Sequence, residues 1–218
     1  MAISAFDTTA TITDPGFFAR MYTRGFRLYI LHSTDWGAAT PWYRTEAQLS
    51  LALDAGLKIA AYTRDPRHWR NGIEACGIHY TQLQFFALDI ETDPGIPVTR
   101  AMVDGVASLG VRPVIYSGSG MYPGIMGDST EFADVPLWDT DTSAPHPLEL
   151  VDAFRADLQH PTPVAYNGWN TPANPRIGVQ QAFEVVIDGI PVDLNAFDLD
   201  LLEVLDRKSR GAGVVAPA

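Results

Sequence analysis

This sequence of 218 residues contains few cysteines, few basic residues and no long apolar segment. The single cysteine, Cys76, cannot form an internal disulfide, and we interpret it as a small core residue rather than a nucleophile. No apolar segment approaches the ~20 residues that are needed to cross a bilayer. Residues 1–16 have neither the basic region nor the apolar region of a signal peptide. We therefore expect a protein that stays in the cytoplasm or leaves it by a route that the chain does not encode.

Acidic residues outnumber basic residues by 26 to 15, which gives a formal net charge of −11. Nucleic acids and anionic lipids bind preferentially to basic surfaces, so we expect neither nucleic acid nor a membrane as a partner. Charged residues make up 19% of the chain and hydrophobic residues 46%, a balance that is typical of a folded globular domain rather than a disordered chain.

Short strand-like segments alternate with helix-like segments along most of the chain. Apolar residues at helical spacing predict helices at 46–56, 99–110 and 147–159. Apolar and β-branched runs predict eight strands, at 3–7, 26–32, 57–63, 83–91, 112–118, 135–140, 177–185 and 190–197. Such alternation indicates parallel pairing, and eight is the number of strands that closes a (β/α) barrel.

The last part of the chain departs from the regular barrel pattern. Strands seven and eight leave no room for a helix, because only the turn-forming residues 188–190 stand between them. The sequence therefore predicts an α/β fold of the irregular, TIM-like barrel kind. The final residues are rich in Gly, Ala and Pro, so we expect a barrel domain at 1–207 and a flexible tail or linker stub at 208–218.

The fourth predicted strand ends with two acidic residues, in the stretch "FFALDIETDPG". Because side chains alternate along a strand, Asp89 and Glu91 share one face with Phe85, about 6.6 Å apart along the strand at the usual rise per residue. The active sites of such barrels form where the carboxyl ends of the strands meet. Asp7 and Asp193 lie in the first and the last strand, so we expect four acids from three strands to meet at one barrel mouth.

Aromatic and polar residues occupy other predicted strand ends, namely Tyr62, Tyr116, Trp138, Asp139 and Asn195. Buried carboxyl groups lose water, and clustering raises the pKa of at least one of them. A carboxyl group that is protonated near neutral pH acts as a general acid, and a charged neighbour stabilises an oxocarbenium-like centre. Since aromatic walls suit the apolar faces of sugar rings, this combination indicates glycoside hydrolysis.

Each of these residues also has an ordinary structural interpretation. An acid at a strand end is often simply solvated, Asp7 could cap a following turn, and Asp193 could form an Asx turn. The aromatic side chains could belong to the core or the rim, and His32 could be a core histidine. The joint occurrence of acids and aromatic residues at successive strand ends favours a site.

The order of these motifs along the chain resembles that of glycoside hydrolase family 25. The matching segments are the first strand with Asp7, then "ALDIE", "VIYSG", "PLWDT" and "VDLNAF", and the resemblance extends over about residues 1–200. This family holds the N-acetylmuramidase lysozymes, many of them phage endolysins. The resemblance implies the family's irregular (β/α)5β3 barrel and an activity that requires no cofactor and no metal.

The resemblance also implies roles for individual residues. Glu91 matches the family's proton donor and Asp89 the neighbouring acid, while Asp7 and Asp193 match two further acids that line the site. Aromatic residues fall on the family's motifs in strands three, five and six, and these are Tyr62, which is expected near the substrate, Tyr116 and Trp138.

Three segments depart from the family's pattern. Thr9 stands where the family usually has Ser, the second strand ends in "LHST" with His32 and no Arg, and "VQQAF" keeps Gln180 without its aromatic neighbours. These changes leave the four acids intact but alter the residues that contact sugar. The candidates for substrate binding, besides the three aromatic residues, are therefore His32, Gln180, Asp139 and Asn195.

Together these features predict a monomeric muramidase that cleaves the β-1,4 bond between N-acetylmuramic acid and N-acetylglucosamine in peptidoglycan, with net retention. It would be the catalytic domain of a bacteriophage endolysin, held in the host cytoplasm until a separate route releases it to the cell wall, or of a virion-associated lysin. Two alternatives remain open. One is an inactive glycan-binding or structural barrel module of a phage or cell-envelope protein, and the other is a hydrolase whose acids hold Mg²⁺ or Ca²⁺.

Overall fold

The computed structural model describes residues 1–35, 38–140 and 154–198. Within these ranges the strands are β1 (Ala2–Thr8), β2 (Phe26–His32), β3 (Lys58–Thr63), β4 (Leu83–Asp89), β5 (Pro113–Ser117), β6 (Leu137–Thr140), β7 (Gly178–Ile187) and β8 (Ile190–Asp198). The α-helices are α1 (Gly16–Thr23), α2 (Thr45–Asp54), α3 (Trp69–Ala75), α4 (Arg100–Ser108) and α5 (Tyr122–Met126). Short 3-10 helices at Pro66–His68 and Gly77–Gln82 flank α3.

The strands form one closed barrel in the order β1 to β8. Neighbours from β1 to β7 pair in parallel, whereas β8 lies antiparallel to both β7 and β1 and so closes the barrel. Five strand–helix units are followed by three strands, which is the (β/α)5β3 arrangement that the resemblance implied. All eight predicted strands are confirmed, and each boundary lies within two residues of the predicted one.

The two faces of each barrel strand pack into different parts of the core. Phe85 and Ala87 of β4 point into the barrel, where the ring of Phe85 stacks on that of Phe197 with centroids 5.3 Å apart. Phe86 and Leu88 point outwards and pack with the buried faces of the helices. The alternation that the sequence predicted for β4 is therefore confirmed, and it directs Asp89 towards the barrel interior.

The helices were harder to predict than the strands. The predicted helices at 46–56 and 99–110 are confirmed as α2 and α4, but α1, α3 and α5 were not predicted. The predicted helix at 147–159 is wrong over its described part, 154–159, which contains no helix. There the backbone amide of Asp157 donates to the side chain of Gln181 at 3.2 Å, and the ring of Phe154 stacks on Phe26. The rest of that prediction lies outside the described residues.

A tight hairpin turn joins β7 to β8. Asp188 and Gly189 both have positive φ angles, of 50° and 82°, which is the backbone that a two-residue turn of type I′ requires. The turn confirms the prediction of a direct connection at 188–190. The barrel accounts for the described chain up to Asp198, so the predicted boundary between barrel and tail at 207/208 lies outside the described residues. None of the described helices is long and apolar enough to cross a membrane.

Candidate active site

A cleft of about 270 Å³ opens at the mouth of the barrel, where the parallel strands end and β8 begins. Acidic and aromatic side chains dominate its lining. Eight of the predicted site residues line it: Asp7, Tyr62, Asp89, Glu91, Tyr116, Trp138, Gln180 and Asp193. The barrel therefore brings together side chains from the beginning, the middle and the end of the chain.

The pairing of neighbouring strands explains why these side chains meet. Asp7 of β1 is the direct partner of Asp193 in the antiparallel β8, and directly paired residues present their side chains on the same face of a sheet. On the other side of the cleft, Tyr116 of β5 is paired with both Asp89 of β4 and Trp138 of β6. One row in the cleft thus holds Asp7 and Asp193, and the other holds Asp89, Tyr116 and Trp138.

Gln180 connects the two rows through its side-chain amide. Its Oε1 accepts hydrogen bonds from the hydroxyl of Tyr116 at 2.5 Å and from that of Thr140 at 3.3 Å. Because the oxygen is occupied by these hydroxyl groups, the Nε2 of Gln180 points at the acids and donates to Asp193 at 2.8 Å and to Asp7 at 3.5 Å. Gln180 therefore fixes the relative positions of the two acids.

Asn195 lies behind the cleft rather than in its lining. The residue is fully buried, its Nδ2 donates to Asp7 Oδ2 at 2.7 Å, and its Oδ1 accepts from the indole Nε1 of Trp138 at 2.9 Å. Trp138 in turn lies 4.5 Å from the ring of Tyr116. The structure thus places Asn195 where it supports Asp7, in contact with a cleft residue instead of the cleft.

Burial dominates the electrostatics of Asp7 and Asp89. Loss of water raises the pKa of Asp7 well above its usual value, the charge of Asp193 raises it further, and the hydrogen bond from Asn195 lowers it. Burial likewise raises the pKa of Asp89, with a further contribution from Glu91 and an opposing one from Arg64. Asp89 is 3% exposed, and its Oδ1 has no hydrogen-bond partner among the described residues. Such an oxygen is available to a donor on a ligand.

Glu91 lies just beyond the end of β4, in a turn that the backbone amide of Gly95 closes by donating to the Glu91 carbonyl at 2.9 Å. Its side chain is 22% exposed, and its Oε2 lies 3.0 Å from Nη1 of Arg64. Burial raises the pKa of Glu91, while the charge and the hydrogen bond of Arg64 lower it and the charge of Asp93 raises it. The result is a carboxyl group at the cleft that holds its proton to a higher pH than a solvated glutamate does.

The tyrosines of the cleft remain neutral donors. Burial raises the pKa of Tyr62 and that of Tyr116 well above the usual value for tyrosine, and the surrounding acids raise both further. The ring of Tyr62 meets that of Trp138 edge-on, at 6.2 Å between centroids. Together with Trp138 these residues provide an aromatic wall with hydroxyl groups, which suits a sugar ring.

Several residues that line the cleft were missed by the sequence analysis. Arg64 follows β3 with the same parity as Tyr62, and this spacing was the one signal that could have identified it. Glu184 reaches the lining because the β7–β8 pairing shifts between Ala182 and Val185, where Glu184 takes a positive φ angle of 52°. No local sequence pattern marks such an irregularity. The remaining missed lining residues are Thr8, Thr9, Pro191 and Val192, of which Thr9 was noted only as a departure from the family's pattern.

Asp139 lies away from the cleft, because its neighbour Trp138 takes the inward face of β6. Its Oδ2 accepts from Nη1 of Arg176 and Nδ2 of Asn170, at 2.8 and 2.9 Å, and its Oδ1 accepts from the hydroxyl of Tyr166 at 3.2 Å. Burial raises the pKa of Asp139, and the three donors offset this in part. The geometry is that of a structural anchor for the segment between β6 and β7, in place of the predicted contact with substrate.

His32 is also outside the described lining of the cleft, although β2 directs it inwards. It is 7% exposed and its ring lies 4.4 Å from that of Trp42. Its Nδ1 has no hydrogen-bond partner among the described residues, and burial lowers its pKa. His32 therefore sits as a neutral imidazole against Trp42, beneath the loop that follows β2.

Metal binding was one of the alternatives left open by the four acids. Among residues 1–35, 38–140 and 154–198, no three His, Cys, Asp or Glu side chains form a group that could hold a metal ion. The alternative of a metal-dependent hydrolase therefore gains no support from the part of the chain that the structure describes.

Comparison of sequences finds no relative, since no protein-family model and no curated protein sequence matches this chain. Solved structures do resemble it. A muramidase from Acremonium alcalophilum matches with a TM-score of 0.63 over 94% of this chain and 99% of that one, at 19% identity. The CTP1L endolysin matches with a TM-score of 0.63 over 98% of this chain and 71% of that one, at 13% identity.

The modular Cpl-1 endolysin, solved in complex with a peptidoglycan analogue, matches with a TM-score of 0.52 over 89% of this chain and 53% of that one, at 13% identity. Similarity at such low identity establishes a fold and leaves the activity open. The chain therefore has the irregular (β/α)5β3 barrel of the muramidases and endolysins of glycoside hydrolase family 25, the family that the order of its motifs resembles.

Proposed function

We propose that this chain is a peptidoglycan hydrolase, and specifically an N-acetylmuramidase that cleaves the β-1,4 bond between N-acetylmuramic acid and N-acetylglucosamine. The observation that carries the proposal is the meeting of Asp7, Asp89, Glu91 and Asp193 in one cleft beside an aromatic wall. The muramidase and endolysin structures with the same fold, one of them complexed with a peptidoglycan analogue, support the choice of substrate.

Glu91 is the proposed general acid. Its carboxyl group faces the cleft, and burial raises its pKa, so the protonated form that can donate to a leaving oxygen persists towards neutral pH. After bond cleavage the same carboxylate would take a proton from the attacking water. The anomeric carbon is displaced twice, first by an internal nucleophile and then by water, and two such displacements give net retention of configuration.

Asp89 is the proposed partner of the anomeric carbon. It would either attack that carbon or hold the substrate's own acetamido group in position to do so. Its buried Oδ1, which has no partner among the described residues, fits the second role well, because an acetamido N–H would supply the missing hydrogen bond. Asp7 and Asp193, held together by Gln180, would stabilise the positive charge that develops on the sugar.

The experiment that tests this proposal compares wild type with Glu91→Gln on purified peptidoglycan, with release of reducing ends as the measurement. Loss of a general acid typically costs about 10²- to 10⁴-fold in rate. The matched control is Glu74→Gln, because Glu74 is an exposed glutamate on α3 whose loss removes the same charge far from the cleft. Full activity of Glu91→Gln would contradict the proposal.

A second measurement identifies the bond that is cleaved. Products are reduced with borohydride and analysed by mass spectrometry. A muramidase leaves N-acetylmuramic acid at the new reducing end, which appears as muramitol, whereas a glucosaminidase leaves N-acetylglucosamine. Glucosaminitol at the new ends would overturn the proposed bond specificity, whereas the proposal of a glycosidase would still stand.

One observation favours the alternative of a barrel that binds glycan without cleaving it. Glu91 is paired with Arg64 at 3.0 Å, and an ion pair stabilises the ionised form, which cannot donate a proton. In that case wild type would bind peptidoglycan in a pull-down experiment and release no reducing ends, and Glu91→Gln would bind equally well.

For the biological setting we propose a monomer that acts on the cell wall as part of a phage endolysin or a virion-associated lysin. The net charge of −11 gives no long-range attraction to anionic wall polymers, so delivery to the wall would depend on a separate route. Size-exclusion chromatography with light scattering tests the oligomeric state. Lysis of intact cells only after the membrane is permeabilised would support release from the cytoplasm.

A further inference from the structure

Arg64 differs in charge from the rest of the cleft. Within the described lining it is the one basic side chain, and it shares that lining with five acids, Asp7, Asp89, Glu91, Glu184 and Asp193. Its charge opposes the effect of burial on the pKa of Asp89 and of Glu91. Its position is therefore expected to matter for the chemistry of the cleft.

The contacts of Arg64 tie together the carboxyl group of Glu91 and the turn that carries it. Nη1 of Arg64 lies 3.0 Å from Oε2 of Glu91, Nε donates to the carbonyl oxygen of Asp93 at 2.9 Å, and Nη2 lies 3.5 Å from Oδ2 of Asp93. The same turn is closed by the hydrogen bond from Gly95 to the carbonyl of Glu91. Both ends of the Glu91 residue, backbone and side chain, are thus held.

Shielding from water distinguishes this ion pair from ordinary surface pairs. The side chains of Arg64 and Glu91 are 16% and 22% exposed, whereas those of Arg100 and Asp134, a pair on the outer surface, are 33% and 71% exposed. Charge interactions are weakened by solvent at exposed sites and strengthened where water is excluded. The pairing of Arg64 with Glu91 is therefore strong enough to influence where the proton of Glu91 resides.

We propose that Arg64 is a positioning residue, which holds the carboxyl group of Glu91 in one orientation at the cleft wall and stabilises its ionised form between proton transfers. This inference rests on the proposed function of Glu91 as general acid. In this role Arg64, which follows β3, acts through Glu91 and not through contact with the substrate.

The other titratable groups around Glu91 are acids, which act in the opposite direction, and tyrosines, which carry no charge. They come from β1, β3, β4, the turn after β4, β5, β7 and β8, and they are Asp7, Tyr62, Asp89, Asp93, Tyr116, Glu184 and Asp193. Acids disfavour a second negative charge, and the tyrosines stay neutral. Loss of Arg64 therefore leaves burial and repulsion unopposed, and the pKa of Glu91 rises.

The pH dependence of activity reports this change with a definite sign. A general acid must be protonated, so activity falls as the pH rises through the pKa of the acid. If that pKa rises in Arg64→Gln, the alkaline limb of the kcat profile moves to higher pH, by about one unit as the loss of an adjacent opposite charge implies. Because the carboxyl group is also less well oriented, kcat at the new optimum falls about 10-fold while KM changes less.

Two variants serve as controls in this assay with purified peptidoglycan. Arg64→Lys keeps a positive charge and is expected to keep the alkaline limb near its wild-type position. Arg100→Gln removes the same charge from the pair with Asp134 on the outer surface and is expected to leave the profile unchanged. A merely structural role of Arg64 would lower activity at every pH without moving the limb.

A second readout needs no activity at all. The chain contains seven glutamates, so a protein labelled with carboxyl-¹³C glutamate gives few signals. The signal that is missing from the spectrum of Glu91→Gln is that of Glu91. The NMR titration of that signal is expected to move to higher pH in Arg64→Gln, and the remaining signals verify that the variant is folded.

The outcomes separate this inference from the proposed function. If Glu91→Gln is inactive and Arg64→Gln keeps both the wild-type alkaline limb and the wild-type Glu91 titration, the role of Arg64 is refuted and the muramidase proposal stands. If Glu91→Gln is fully active, the proposed function fails, and an unchanged NMR titration of Glu91 in Arg64→Gln would refute the electrostatic link as well.

Discussion

Replacement of Asp7 by Asn is expected to stabilise the folded protein at pH 7 while removing most of its activity on peptidoglycan. Asp7 is 5% exposed, and its Oδ2 accepts a hydrogen bond from Asn195 at 2.7 Å. Burial raises the pKa of Asp7, as do the charges of Asp193 and Glu91, and the Asn195 hydrogen bond lowers it. An asparagine oxygen can accept the same hydrogen bond without a buried charge. The variant therefore keeps the contact and avoids the free-energy cost of burying a carboxylate.

The sign and size of the effect follow from proton linkage. When the pKa of an acid is higher in the folded chain than in the unfolded chain, the protein loses stability as the pH rises. For Asp7 the loss begins near the ordinary pKa of 3.8 and is complete above the pKa of the folded state. Each unit of difference costs about 1.4 kcal/mol at a pH above both values. Since the hydrogen bond from Asn195 offsets part of this, we expect a gain of about 1–2 kcal/mol at pH 7, or about 2–8 °C in Tm. At pH 3 the carboxyl group is neutral in both states and the gain vanishes.

The assay is thermal unfolding of wild type and variant at pH 3, 5 and 7, followed by circular dichroism. Asp188→Asn provides a control of opposite sign, because the hydrogen bonds of Arg24 and Arg20 lower the pKa of Asp188 to about 2. Such a group stabilises the fold above its unfolded pKa, so its loss is expected to destabilise the protein at pH 7. A Tm of Asp7→Asn that is below wild type at pH 7, or that is raised equally at all three pH values, would refute the reasoning.

Further variants test the geometry around the acids. Gln180→Leu removes the acceptor of the buried Tyr116 hydroxyl group and the 2.8 Å donor to Asp193 Oδ2. We therefore expect a loss of about 2–4 kcal/mol in the free energy of unfolding, measured by urea denaturation. Gly178→Ala would place a Cβ 2.3 Å from the ring of Phe197 and is expected to cost about 1–3 kcal/mol in the same assay. Gly124→Ala, where a Cβ meets nothing within 4 Å, is its control, and equal stability of the two alanine variants would contradict the proposed close packing.

The strands could be predicted because their residues obey two strong local rules. The inner face of β4 alternates with the outer face, so Phe85 and Asp89 could be placed in the barrel from the sequence alone. The turn-forming residues 188–190 predicted a direct connection between the last two strands, and the positive φ angles of Asp188 and Gly189 bear this out. That β8 therefore runs antiparallel to β7 was not predicted. The four acids could be predicted to converge because strand ends of a closed barrel share one mouth.

The helices on the outside follow weaker rules. Helices α1, α3 and α5 are 8, 7 and 5 residues long, too short for an apolar periodicity to be recognised. In α3 the glycine at position 72 argues against a helix locally, yet a Cβ there would lie 2.6 Å from Oγ of Ser33 and 2.7 Å from the ring of Phe86. Close packing of this helix on the barrel overrides the low helical propensity of glycine.

The residues of the site that sequence reasoning misplaced or missed depend on tertiary contacts. Asp139 could have been separated from the cleft by parity, because Trp138 already occupies the inward face of β6. The partner that retains Asp139, Arg176, lies 37 positions away, and no local pattern connects them. Arg64 was missed for the same reason, since a lone arginine after a strand is typical of a solvated surface until its distance to Glu91 is known.

The antiparallel closure by β8 also sets the order in which the acid cluster can be completed. Asp193 and Asn195, which flank and support Asp7, belong to the last strand of the barrel, and β8 supplies hydrogen bonds to β7 and β1 on its two sides. A nascent chain that still lacks this strand has an open sheet and an incomplete set of carboxyl groups. A chain that stops ahead of β8 therefore lacks the complete acid cluster, and the cleft forms only once the last strand has been made.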